Sequence, residues 1–556
     1  MIEPQEQAEL TPPPPPATPS GEAESGLVQA AAVLAMGNLA SRVLGMVREM
    51  TKANLFGASG LLSAFEIAAY VPQALFDLIV GGMVNSSLVP VFSEYAAKER
   101  RAELWAAVST FLSVATVALL LLVITVELFA PQVAWLLGAY NLEDQSLTGV
   151  AISLTRLAAP AMLFLSLSSI LTGALYALKR FTLPAFTAAV FNGTIVVVAI
   201  LRPEHIDSLV YGLLLGSILQ IALQLPALRD ARLRWNLNWR HPVIRRILRL
   251  YMPIVAGLVV NQAGTTVGVN LATRADQATL TAVGLNFSAQ TGDASLTYMR
   301  YATTLYQFPL GLVVTALSIA ILPTLSQQAL RTLPTFKNTL GHGIRMVLAL
   351  ILPATIGLFA LATPIVALLF EHGLFTGQDT EITSWVLRIF LFGLPFAAVD
   401  QMLIFASYAR KDTLRPALVG VASILIYVTV AVLLLPVLGL FSLMVADAVK
   451  HVSHTALMLL VLRRQIGGIG GQGIPVAALK ALLGALLAGL GAYGTAQWAI
   501  TFAARISASS IPAAAVLGQL FVVAAGGLAG LAVYAAATQL LQIREAKSLR
   551  HLLRRR

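Results

Sequence analysis

Cysteine is absent from all 556 residues, which excludes disulfides and thiolate metal sites. Charge is scarce: 11% of residues are charged and 57% are hydrophobic, where a soluble domain carries about 25% charged residues. So few polar side chains cannot coat a water-facing surface, and lipid is the solvent that fits the composition. The seven histidines form no HExxH and no zinc-like spacing with acidic partners. No nucleophile–base set and no phosphate-binding loop is legible, so the sequence gives no reason to read an enzyme. A basic start, which a secretory signal requires, is missing too. MIEPQEQAELTPPPPPATPSGEAESG holds five Glu and no Lys or Arg. Its Pro, Glu and Ser content reads as a disordered tail over residues 1–26.

What is present is a long series of apolar runs, each near the 20 residues that cross a bilayer. Fourteen spans are expected, at 27–50, 61–96, 104–128, 147–177, 184–201, 208–228, 249–273, 296–330, 341–370, 383–408, 415–437, 440–462, 475–501 and 512–541. Backbone groups in lipid must be satisfied within the segment, and the alternation of a membrane barrel is absent, so the fold is read as all-α and polytopic. With the N-terminus in the cytoplasm, 25 of the 37 basic residues fall on inside segments. Only Lys52, Arg202, Arg274 and Arg505 are assigned outside. That bias is the usual mark of orientation and places both termini inside. It also accounts for the net charge of +11 through anionic membrane lipid, without nucleic acid.

The chain also repeats itself. YALKRFTLPA (176–185) and YARKDTLRPA (408–417) share Y-A-x-K-x-x-x-x-P-A at an offset of 232. Pro90 and Ser93 match Pro323 and Ser326, PQVAWL (131–136) matches PIVALL (364–369), and Arg156 matches Arg388, all at 232 or 233. Matches in one order at one offset point to two six-helix lobes, 27–235 and 236–465. Because six is even, the lobes run parallel, an arrangement that transporters use with the substrate between lobes. Two additional helices at 466–541 and a basic tail at 542–556 complete the expected organisation.

Three stretches carry a resemblance. NLASRVLGMVREMTKANLFGAS, GGMVNSSLVPVFSEY and QFPLGLVVTALSIAILPTLSQ, with LYALKRFTLPAF and LLFEHGLFT, resemble the MurJ (MviN) lipid II flippases of the multidrug/oligosaccharidyl-lipid/polysaccharide exporter superfamily. The resemblance covers about residues 27–465. It implies a fourteen-helix transporter in the bacterial cytoplasmic membrane that moves undecaprenyl-diphosphate-linked disaccharide-peptide by alternating access. Membrane lipids and cell-wall synthesis proteins are the implied partners. No bound cofactor is expected, and an ion or the membrane potential is left open as the driving force.

For such a substrate Arg42 and Arg48 are the first candidates. An intramembrane Arg costs at least about 2.5–3.5 kcal/mol, so both should face protein or water. A guanidinium binds phosphate through two parallel hydrogen bonds. An ion pair to Glu49 or a snorkel to the outer face is the plainer reading of Arg48. The chain departs from the family in helix two, where Phe76 and Asp77 replace a basic pair and Glu66 adds an acid. In helix eight Thr303 and Thr304 replace an acidic-basic pair. Arg300, one turn before Thr304, would restore the charge on the same face; with Tyr298 and Tyr301 it reads equally as an interfacial anchor. Glu66 and Asp77 keep open an exporter of small cations or of another lipid-linked polysaccharide. A non-transporting cell-wall scaffold is the reading from another class. Asp447, Lys450, His451 and His454 share one face of helix twelve and are candidates for ion coupling, or for a neutral structural cluster.

Overall fold

The protein is described from a computed structural model over residues 21–275, 293–329, 332–507 and 514–543. Every regular element among these residues is helical. The first half contains α1 (Gly21–Phe56), α2 (Gly60–Phe76), α3 (Val89–Ser93), α4 (Arg101–Leu128), α5 (Ala130–Leu136), α6 (Gln145–Ala158), α7 (Ala161–Ala177), α8 (Thr182–Ala185), α9 (Thr187–Leu201) and α10 (Asp207–Gln224). The second contains α11 (Pro242–Ala272), α12 (Ser295–Pro309), α13 (Thr315–Ala329), α14 (Leu333–Ala360), α15 (Ala362–Phe370), α16 (Gly377–Leu391), α17 (Leu394–Ala409), α18 (Leu414–Leu438) and α19 (Phe441–Ile466). Last come α20 (Ile474–Ser507) and α21 (Ala514–Leu540).

Among the described residues ten helices are long and apolar enough to cross a membrane, and α16 with α17, bent by 42°, makes up to eleven. The chain is thus an all-α polytopic membrane protein. The other expected spans, at α9, α11 and α12 with α13, are helical among the described residues. The helix α9 has 15 residues. α11 opens on Arg245, Arg246 and Arg249. Between α12 and α13 lies a π-helical turn after Pro309, whose ring cannot sit in a regular helix without losing a hydrogen bond.

Two expectations need correcting. The α1 helix starts at Gly21, so residues 21–26 are helical, while 1–20 lie outside the described residues. Lys52 is not in an outer loop. α1 continues to Phe56 and stops at Gly57, whose φ of 63° suits a glycine, and Lys52 lies within it, 2% exposed. Arg331 and the basic tail from Arg544 lie outside the described residues.

The sequence repeat is also a repeat of backbone geometry. α7 and α17 both end in a left-handed lysine, Lys179 at φ 59° and Lys411 at φ 61°. Lys179 N donates to Tyr176 O at 2.9 Å and Arg180 N to Leu175 O at 2.8 Å. Lys411 N donates to Tyr408 O at 2.9 Å and Asp412 N to Ser407 O at 3.0 Å. This pair of bonds satisfies carbonyls left over at a helix C-terminus. The duplicated motif is therefore a helix stop. A π turn at Asp77–Gly81 follows α2, and another at Leu310–Val314 follows α12, which places them at the same 233-residue offset.

Helices pack chiefly within their own half: α1 on α9, α2 on α6 and α7 on α10, then α12 on α16, α14 on α17 and α18 on α19. The last two helices pair with each other, and α20 leans on α14. The halves are tied at both ends: at one by Arg246 of α11 to Glu94 at 2.6 Å and Tyr251 to Leu78 O at 2.8 Å, at the other where α2 and α12 begin. Asp293 accepts hydrogen bonds from Glu143 N at 2.6 Å and Asp144 N at 3.2 Å. Ser63 and Thr297 hydroxyls meet at 3.0 Å. Tyr301 donates to Gly57 O at 3.2 Å, and Leu374 N to Asn54 O at 3.0 Å.

Candidate functional site

Just inside the end where α2 and α12 begin, α1, α2 and α12 converge on a row of charges. Glu49 and Lys52 are three residues apart on α1 and meet at 2.6 Å. Lys52 also bonds Glu66 on α2. Glu66 in turn receives Arg300 Nε from α12 at 3.3 Å. At the other end of the row Arg48 donates to Glu49 at 2.7 Å and to Asn192 Oδ1 on α9 at 2.9 Å. Asn192 is held by Ser41 O at 3.2 Å. The order is cation, anion, cation, anion, cation, so each buried carboxylate lies between two positive groups. That arrangement makes buried ions tolerable, since neither acid is left uncompensated.

Arg42 stands apart, without a carboxylate partner among the described residues. Its guanidinium lies against Gly311 in the π turn after α12, where any Cβ would collide with it. Arg42, Arg48, Glu49 and Arg300 line one cavity of about 190 Å³ together with Thr303 and Thr304. Arg300, Thr303 and Gln307 also line a neighbouring cavity of about 510 Å³. Its opposite wall carries Asp400, Asp447, Lys450, His451 and His454. There Lys450 Nζ meets Asp447 at 2.5 Å and sits 5.5 Å from the Tyr427 ring centre. His451 Nε2 is 3.6 Å from the same carboxylate. His454 turns away to Asp400 on α17, at 2.6 Å.

The structure thus brings Arg42, Arg48 and Arg300 to one place, and Asp447, Lys450 and His451 to the adjoining one. Arg48 does form the expected ion pair with Glu49, yet it faces the cavity as well. Tyr298 and Tyr301 are 1% and 0% exposed and bond inside the protein, so neither anchors Arg300 at a lipid interface. Glu66 and Asp77 do not act together. Asp77 accepts from Gln73 at 3.0 Å and lines neither cavity. Three residues were missed by sequence reasoning: Lys52, Glu66 as a partner of Arg300, and Asp400. For Lys52 the signal was its three-residue spacing from Glu49. For Asp400 it was an acid in an apolar stretch, which requires a partner. Among the described residues no group of His, Asp and Glu is arranged to hold a metal ion.

As a chemical device, this is a chamber lined by three arginines and one carboxylate, Glu49, beside a chamber with mixed charge. It suits a polyanion larger than either cavity alone.

The family model described as "Lipid II flippase MurJ" matches residues 52–509. A relative from Burkholderia cenocepacia, described as "Lipid II flippase MurJ", is 26% identical over 438 residues, covering 77% of this chain and 82% of that protein. A solved structure described as "Lipid II flippase MurJ, inward closed conformation" superposes with a TM-score of 0.71 at 23% identity, covering 92% of this chain and 98% of the other. An inward-facing multidrug resistance transporter of the MATE family in the MOP superfamily gives 0.60 at 14% identity, over 77% of this chain and 94% of the other. The latter two likenesses concern the fold.

Proposed function

The chain belongs to the family of MurJ lipid II flippases, and from that premise we propose that it carries lipid II across the cytoplasmic membrane, as a transporter and not an enzyme. Arg42, Arg48 and Arg300 would hold the diphosphate and the acidic groups of the headgroup, while the prenyl chain stays in lipid. The observation that carries this reading is the meeting of three arginines, two from the first half and one from the second, at one cavity between the halves. A bidentate guanidinium–phosphate contact is worth more than a neutral hydrogen bond and fixes orientation.

The repeated helix stops and π turns support two parallel six-helix lobes, 27–235 and 236–465, with α20 and α21 outside the repeat. Fourteen crossings follow if each expected stretch spans, with both termini cytoplasmic. Removing Lys52 from the outer segments leaves the basic bias steeper than before. Alternating access would open the end tied through Ser63 and Thr297 while the other end stays closed. Asp447, Lys450 and His451 would be the ion-coupling group, a role supported by their place on the wall facing Arg300. Cell-wall synthesis proteins remain proposed partners. A small cation is disfavoured as substrate, because both acids beside the arginines are already paired.

Complementation tests this. The gene should rescue a bacterium depleted of its flippase, with lipid II reaching the outer face. Arg48→Ala should abolish rescue while the protein still inserts, and Arg48→Lys should recover part, keeping charge without the planar fork. Full rescue by Arg48→Ala would remove Arg48 from the site.

A further inference from the structure

Glu66 sits in an apolar helix, is 7% exposed and divides its two oxygens between the halves of the protein. Oε1 takes Lys52 on α1, and Oε2 takes Arg300 on α12. The two contacts are unequal. The Lys52 side chain is 3% exposed and sealed between Glu49 and Glu66. The Arg300 side chain is 49% exposed, lies on both cavities, and comes nearest Glu66 through Nε, at 3.3 Å. Among the described residues its two terminal nitrogens make no protein hydrogen bond. The part of the guanidinium that phosphate binds best is therefore presented to the cavity. The contact also has a position. Ser63 and Thr297, which tie the halves at 3.0 Å, each lie three residues before Glu66 and Arg300 on the same two helices. Glu66–Arg300 is the next turn of that seam, on the cavity side.

We propose that Glu66 is a resident counter-anion for Arg300, holding the seam shut in the empty cavity, and that the diphosphate of the substrate displaces it. The proposal rests on the headgroup reading above and adds a trigger to it. Displacement leaves no naked charge: Arg300 exchanges its carboxylate contact for a forked phosphate contact, and Glu66 keeps Lys52. Once Arg300 turns to the ligand, the seam has lost its ionic turn and only the hydroxyl and backbone ties remain. Binding and opening are then one event, and an uncharged lipid of the same shape cannot cause it.

The chain has no native cysteine, so paired spin labels at Gln145→Cys and Glu381→Cys, on the tied ends of the two halves, report the seam directly. The probes are farnesyl diphosphate and farnesol, with the full chain in nanodiscs. Wild type should show one short distance when empty and gain a longer one with farnesyl diphosphate only. Glu66→Gln should show the longer distance without ligand. It should bind farnesyl diphosphate about ten-fold more tightly, the scale of one hydrogen bond to a charged group, with farnesol binding unchanged. Glu66→Asp, which keeps the charge and Lys52 but shortens the reach, should lie between. If wild type prefers the diphosphate yet Glu66→Gln neither opens nor tightens, the counter-anion proposal is overturned and the headgroup reading stands. If wild type shows no preference for diphosphate over farnesol, the headgroup reading itself fails and displacement falls with it.

Discussion

Replacing Lys52 with Met removes the ammonium that two buried carboxylates share. Glu49 is 1% exposed and Glu66 7%, so neither can recover its hydration. Deleting one partner of a buried ion pair costs about 3–5 kcal/mol, because a charge is stranded. Here each acid keeps one cation, Glu49 through Arg48 at 2.7 Å and Glu66 through Arg300 at 3.3 Å. The lower end, about 3 kcal/mol, is therefore expected. Adding Glu66→Gln to Lys52→Met removes the buried carboxylate that has lost its closer cation, and about 2 kcal/mol of the loss should return, within the range for residues of one network. The assay is unfolding by SDS in mixed micelles of wild type, both single variants and the double variant. Additivity of the two single effects within about 0.5 kcal/mol would refute the claim that Lys52 and Glu66 are energetically coupled.

Three further outcomes are expected. Lys411→Gly and Lys179→Gly should each stabilise the fold by up to about 1 kcal/mol in the same assay, since a left-handed non-glycine costs about 1–2 kcal/mol and glycine returns some of that as chain entropy; destabilisation would mean that the lysine side chains bind something. Cysteines at 179 and 411 should both resist an impermeant thiol reagent applied outside intact cells, and labelling of either would overturn the parallel-lobe orientation. Hydrogen bonds from Arg180 hold the Asp230 carboxyl below its ordinary value of 3.8. Its contribution is therefore full above that value and is lost as pH falls through the lowered one. The pair is 38% and 40% exposed, so wild type and Asp230→Asn should differ by under about 1 kcal/mol near neutrality and converge in acid; a gap that widens in acid would contradict this.

Much of the helical order and the repeat was legible because both are local. Apolar run length is written along the chain, and the Y-A-x-K motif encodes a helix stop that needs nothing beyond its own residues. Arg42 and Arg48 were legible as cations within an apolar run, which must face protein or water. The partnership of Glu66 with Arg300 was not, because 234 positions separate them and only the packing of α2 beside α12 brings them together. Lys52 was misplaced for a related reason. The sequence reads as leaving the membrane near residue 50, but α1 runs to Gly57 and carries the lysine inward, where two carboxylates replace its water. Asp400 and His454 likewise meet across α17 and α19, and periodicity on one helix cannot show which neighbour a side chain will choose.

The paired π turns bear on how such a molecule can move. A π turn holds one residue more than the α-helix around it needs. If it tightens to α geometry, everything beyond it advances by about 1.5 Å and turns by about 100°. Asp77–Gly81 stores such a residue just after α2, and Leu310–Val314 stores its counterpart just after α12, against Arg42 at Gly311. Slack of this kind is a spare length of spring, present in two matched helices, with a second coil of it at Val84–Leu88 in the first half. Taken up on one side and let out on the other, it would shift the exit segments like the two pans of a balance while the helices remain continuous.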